Sequence, residues 1–296
     1  MEDQPRISWE QPPDDLRDPV LIAAFRGWND AGEAASFAAT HMRSRWDGRR
    51  FARMDPEEFY DFQAVRPEVR LVDGETRQVE WPRNEFWLAT PPDTERDVIV
   101  LEGTEPNLRW KTFSSLIVDV ARRYDVRLVI TLGALLADVP HSRPVQITGT
   151  AVDRDLIESL GFQASRYEGP TGIVGILHDA CARASIPSAS LWAAVPHYLA
   201  VTPNPKAALA LVERATNLIG TSMELRELET ASAGYEERVA EIVASDEDVQ
   251  AYVRMLEERS DQIVLEEKVD EGQVSGDAIA AELERFLRER DTGEAN

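Results

Sequence analysis

Glu102, Asn107, Arg109, Asp138, His141 and Arg143 are the side chains of this 296-residue chain best equipped for chemistry. A carboxylate, an imidazole and two guanidiniums gathered at one place would bind an anionic or ribose-like ligand, with His141 as acid or base. The same charges would equally form a salt-bridge network that orders loops. A second feature is Glu168-Gly-Pro-Thr-Gly-Ile-Val-Gly175. If Thr171 caps a helix, the amides near Gly172, Ile173 and Val174 point at one spot, with the positive helix end behind them. Such a turn holds a carboxylate or phosphate. Alternatively, Gly172 and Gly175 simply let the helix approach the sheet closely. A third is Arg26-Gly-Trp-Asn-Asp30, which brings Arg26, Trp28 and Asp30 to one loop. Trp28 and Trp110 are either core plugs or exposed interface anchors. His178 lies mid-helix among apolar residues and is expected to be packed. The lysine and spacing of a phosphate-binding Walker loop are missing, and so is the middle glycine of a dinucleotide fingerprint. No nucleophile signature and no metal-ligand spacing stands out, so neither a cofactor nor a metal is expected.

In an open α/β sheet, ligands gather beyond the carboxyl ends of the strands, and these loops follow segments that read as strands. Val20–Phe25 is a continuous apolar run, as for a strand covered on both faces. Asp30 with Glu33 has capping-box spacing and opens a helix through about Trp46. Short β-type runs then recur at Arg50–Met54, Val69–Val72, Gln78–Trp81 and Glu85–Ala89, which predicts a meander. Strand–helix alternation follows: Val98–Leu101, helix Asn107–Tyr124, Val126–Leu132, Val145–Val152, a short helix Asp153–Leu160, helix Thr171–Ala184, Ser188–Val195 and helix Pro205–Ile219. The pattern predicts a three-layer α/β/α sandwich with a mostly parallel sheet. Beyond Gly220, Leu225, Leu228, Ser232, Tyr235, Val239, Ile242, Asp246, Val249, Val253, Leu256, Ser260 and Ile263 keep heptad spacing. Ser245–Asp248 reads as a cap inside this stretch, which predicts two antiparallel helices from Ser222 to Ile263, and Ala278–Leu287 reads as a last short helix.

Charge sets the boundary and narrows the partners. The net charge is −22, and residues 222–296 hold 22 acidic and 8 basic residues. We therefore expect an α/β domain over residues 1–221 and an acidic helical extension over 222–296. Phosphate backbones and anionic lipid need a cationic face, so nucleic acid and membrane surfaces are not expected partners. The single cysteine, Cys181, rules out an internal disulfide framework. The N-terminus lacks the cationic start and apolar run of a signal peptide, and no run of residues reaches the ~18–20 apolar residues of a span. A cytoplasmic location is expected.

Gly27-Trp-Asn-Asp-Ala-Gly-Glu-Ala34, Glu102-Gly-Thr-Glu-Pro-Asn-Leu-Arg-Trp110, Gly133-Ala-Leu-Leu-Ala-Asp-Val-Pro-His141 and Gly169-Pro-Thr-Gly172 together resemble the proteasome assembly chaperone 2 (PAC2) family, most closely its actinobacterial branch. The resemblance runs from about Val20 to Gly220. It implies a fold similar to purine nucleoside phosphorylases, self-association, expected here as a homotrimer, and proteasome subunits as partners. Some members of the family dock through a C-terminal hydrophobic–tyrosine–any-residue tail, whereas this sequence ends Asp291-Thr-Gly-Glu-Ala-Asn296. Two readings follow. One is a non-enzymatic, oligomeric assembly chaperone or protein-interaction factor. The other is a binder of, or phosphorylase- or hydrolase-like enzyme for, a small anionic or nucleoside-type ligand in the strand-end crevice.

Overall fold

The computed structural model describes residues 6–151, 157, 163–164, 168–199 and 201–270. In chain order its elements are β1 (Ile7–Trp9), β2 (Val20–Arg26), α1 (Ala34–Arg45), β3 (Arg49–Met54), β4 (Glu68–Val72), β5 (Thr76–Glu80), β6 (Asn84–Ala89), β7 (Val98–Thr104), α2 (Trp110–Arg123), β8 (Leu128–Ala137), β9 (Ile147–Ala151), β10 (Gln163–Ala164), α3 (Ile173–Arg183), β11 (Ser188–Pro196), α4 (Pro205–Ile219), α5 (Arg226–Ala244) and α6 (Glu247–Asp270).

One large sheet runs in the order β1-β3-β6-β7-β2-β8-β11-β9-β10, and β4 and β5 form a separate hairpin. Its centre, β7-β2-β8-β11, is parallel. Antiparallel strands complete both sides, through β6 and β3 on one and β9 on the other. The run Val20–Phe25 shows why this strand is central. Val20, Ile22 and Ala24 face a core built with α1 and α4, while Leu21, Ala23 and Phe25 face one built with α2 and α3. Both faces are covered, so alternation gives way to continuous apolarity.

Helix ends follow local chemistry. Asn204 Oδ1 accepts from Ala207 N at 3.0 Å, Pro205 opens α4, and Gly220 closes it at φ 80°. At α1, a 3₁₀ turn (Ala31–Glu33) delays the helix beyond the expected start, and Asp30 Oδ1 accepts from Ala35 N and Ser36 N at 2.8 and 3.2 Å. Asp246 Oδ1 takes the amides of Asp248 and Val249 at 3.0 and 3.2 Å, which divides α5 from α6 where the cap-like stretch foretold a break.

Other details differ from the sequence reading: the expected meander is split, with β3 paired directly to β6 and β4–β5 set apart as a hairpin. β1 adds to the sheet edge from a stretch for which the sequence reading names no element. On α5 the buried seam is Leu228, Ser232, Tyr235, Val239 and Val243, with Ile242 exposed, because a straight helix drifts off a strict heptad. The predicted helices Asp153–Leu160, apart from Ile157, and Ala278–Leu287 lie outside the described residues. Among the described residues no helix is long and apolar enough to cross a membrane.

Candidate functional site

The parallel strands deliver their loops to one end of the sheet, and the chain itself fills the position suited to an anion. Glu105, just past β7, places Oε1 3.0 Å from Asn29 Nδ2 and 2.8 Å from Ile173 N, both donating to it. Its Oε2 accepts from Trp28 N at 3.2 Å, and Glu105 N donates to Arg26 O at 2.8 Å. One carboxylate therefore ties the loop after β2 to the first turn of α3, where amides and helix dipole favour negative charge. Gly172 precedes that turn. A Cβ there would lie 2.3 Å from Asn29 Nδ2, so only glycine admits the amide. Thr171 is exposed beside it and makes no side-chain cap; Gly172 holds the N-cap position instead.

The other sequence-predicted residues fall into separate groups. Asp30 caps α1 and is buried, with Oδ2 unpartnered; burial raises its carboxyl above the ordinary range despite its hydrogen bonds. Glu102 pairs with Arg43 Nε of α1 at 2.7 Å, and the Arg43 guanidinium lies 4.4 Å from the Trp87 ring centroid. Burial again wins, raising the Glu102 carboxyl against the pull of Arg43. Asn107 Oδ1 accepts from Asp61 N at 3.1 Å, and Arg109 Nη1 lies 3.0 Å from Glu58 Oε2. Both serve to order the loop that follows β3. Arg26 and Trp28 are exposed.

Asp138 and Arg143 meet α6 of the helical pair, and His141 is held beside them by Tyr198 and Lys206. His141 N donates to the Tyr198 hydroxyl at 2.9 Å, the same oxygen lies 2.9 Å from His141 Nδ1, and Lys206 Nζ donates to His141 O at 2.6 Å. Burial and the Lys206 ammonium hold the imidazole below its ordinary value, so it is neutral near pH 7. Asp138 accepts from the Tyr252 hydroxyl of α6 at 3.4 Å and lies 3.1 Å from His197 Nδ1. Arg143 donates to both oxygens of Asp261 on α6, each at 2.8 Å. Tyr198 stands at the centre of this seam, its ring edge-on to His141, His197 and Tyr252.

Sequence reasoning passed over Glu105 and Asn29. The cue available was a second carboxylate in Glu102-Gly-Thr-Glu105, three residues from the one singled out. It also left His178 as a packed residue. His178 Nδ1 lies 2.8 Å from Ser188 Oγ, and Nε2 lies 2.6 Å from Ser190 Oγ and 3.0 Å from Thr131 Oγ1. Burial pushes its ring down to about 4, and it pushes the Cys181 thiol up to about 12. Among the described residues no cluster of His, Cys, Asp and Glu could hold a metal ion.

A mixed α/β sheet with a parallel centre, helices on both faces and strand-end loops bound to one another defines the structural class. The chain belongs to the PAC2 family, whose model matches residues 24–243, through α5 and past the Gly220 limit of the motifs. It is similar to the crystal structure of a PAC2 family protein from Streptomyces avermitilis, at 44% identity and TM-score 0.75 over 80% of this chain and 100% of that one. It is likewise similar to a proteasome-assembly chaperone homologue from Mycobacterium tuberculosis, at 42% identity and TM-score 0.73 over 79% and 99%. The archaeal proteasome activator PbaB of Pyrococcus furiosus shares the fold at 20% identity and TM-score 0.64, over 80% of this chain and 97% of that one. No curated protein matches the chain.

Proposed function

We propose that this chain is a non-enzymatic, homo-oligomeric assembly chaperone acting on proteasome subunits through the strand-end loops of its α/β body. The observation that carries the reading is how those loops divide their groups. Their carboxylates are engaged within the chain, Glu105 by Asn29, Trp28 and Ile173, and Glu102 by Arg43. Their large apolar side chains face out: Trp28 is 65% exposed, Leu108 48%, Leu135 45% and Leu136 60%. Strand order β7-β2-β8 brings the loops that carry Leu108 and Trp28, and the end of β8 that carries Leu135 and Leu136, to the same edge of the sheet. Exposed apolar groups with an aromatic anchor suit a protein partner, whereas a small-molecule site needs convergent unsatisfied polar groups. Family membership and the similarity to the Mycobacterium tuberculosis proteasome-assembly chaperone homologue support the same reading. We assign residues 1–221 to a purine nucleoside phosphorylase-like body and 222–296 to a helical extension, with three copies per assembly.

The test pairs light scattering with capture of purified 20S proteasome subunits. The expected mass is that of three chains, and wild type retains subunits that Trp28→Ala with Leu136→Ser loses. Trp28 joins the interlock through its backbone amide, so the substitution leaves Glu105 satisfied. Failure of wild type to retain any subunit would overturn the chaperone assignment, and a monomer mass at micromolar concentration would overturn the oligomer.

A further inference from the structure

α5 and α6 are attached to the body in different ways. α5 is seated by apolar burial, with Leu228 in the core beneath the sheet and Tyr235, Val239 and Val243 in a second cluster. Among its described side chains, α6 buries Val253 and Leu256 and leaves Met255, Ile263 and Leu265 exposed. Its apolar grip is one small patch, where Val249, Val253 and the Tyr252 ring meet Tyr198, Leu199, Val201 and His197, and the rest of its hold on the body is polar. Tyr252 donates to Asp138, Glu257 accepts from Ser142, and Arg143 Nε and Nη2 each donate to Asp261 at 2.8 Å, with Nη1 3.7 Å from Glu257. Lys206, the neighbouring cation, is turned to Glu236 on α5 at 2.5 Å.

Two further observations weigh against tight docking. Residues 222–296 carry net −14 and residues 1–221 carry net −8, so body and extension repel each other at long range. The Tyr235 hydroxyl is buried in the seam with no partner, a group that gains a hydrogen bond once water reaches it.

We propose that α6 is a detachable strap, latched by Arg143 onto Asp261 and Glu257, that closes over the seam between α5 and the loops after β8 and β11. Closed, it covers the Tyr198 ring and its own Val253 and Leu256. Open, it uncovers them while α5 stays in place. The strap stands on its own contacts and does not depend on the strand-end surface proposed above.

Hydrogen exchange of the full chain, read on peptides from α5, α6 and β8, tests the strap. Arg143→Ala speeds α6 exchange about two- to fivefold, the size of a lost solvent-exposed ion pair, and leaves α5 and β8 at wild-type rates. Arg143→Lys falls between, because a single ammonium replaces a two-pronged guanidinium. Exchanging the charges, Arg143→Asp with Asp261→Arg, returns α6 towards the wild-type rate. An α6 rate unmoved by Arg143→Ala, equal acceleration of all three elements, or a charge exchange no slower than the alanine variant would each overturn the latch.

Discussion

Glu105 accepts from three N–H groups contributed by Trp28, Asn29 and Ile173. Glu105→Gln keeps the size but leaves one oxygen for those donors and turns an NH₂ towards one of them. Hydrogen bonds to a charged acceptor contribute about 1.5–3 kcal/mol, so a loss of about 2 kcal/mol is expected, read as a lower urea midpoint at unchanged slope. A midpoint at the wild-type value would show that the interlock contributes nothing. His178 gives a second residue-scale expectation. Its folded-state value of about 4 lies below the ordinary 6.5, so the unfolded chain takes up the proton first. Stability is complete above pH ~6.5 and falls as the pH drops towards 4, by up to about 3 kcal/mol. Melts at stepped pH should show that slope in wild type and a flatter one in His178→Gln. A small remainder belongs to His141 and His41, which burial also lowers. Residue roles were the least legible part of the sequence. Nothing local distinguishes Glu105 from Glu102, because two of its partners are backbone amides, in a loop and a helix 77 and 68 residues away.

Elements were read far more fully than contacts. Apart from β1 and the two-residue β10, the strands and helices described match segments marked by apolar runs, 3.6-residue spacing and turn residues, because both signals are local. α4 is the clearest case: Pro205 and Gly220 bracket it as predicted. β1 escaped notice because three residues at a sheet edge hold no periodicity to detect. The α5 seam supplies an element-scale test. Leu228→Ala should cost about 2–5 kcal/mol and Val239→Ala less, while Ile242→Ala, on the exposed side, should stay within about 0.5 kcal/mol. Equal losses for Val239 and Ile242 in denaturant titrations would mean that the seam follows the heptad after all.

At the scale of the molecule, net charge dominates. A chain at −22 repels itself, and salt relieves that repulsion by shortening the Debye length from ~30 Å at 0.01 M to ~8 Å at 0.15 M. The melting temperature should therefore rise between those two concentrations; a fall would mean that attractive ion pairs outweigh the repulsion. The placement of Asp138, His141 and Arg143 also belongs to this scale. Sequence alone put them at a crevice, and it put the acidic helices elsewhere. The pairing of Asp138 and Arg143 depends on how the chain after Gly220 folds back, and that of His141 on Tyr198 and Lys206; no local pattern encodes either.

The Glu105 interlock also bears on how such a protein can change over descent. A side chain at Gly172 would drive into Asn29; without Asn29 the carboxylate loses a donor; without the carboxylate the first amide of α3 is bare. No single replacement along that sequence of dependence is neutral. The three positions should therefore be inherited as one trait, and relatives that have lost one of them should have rebuilt the other two.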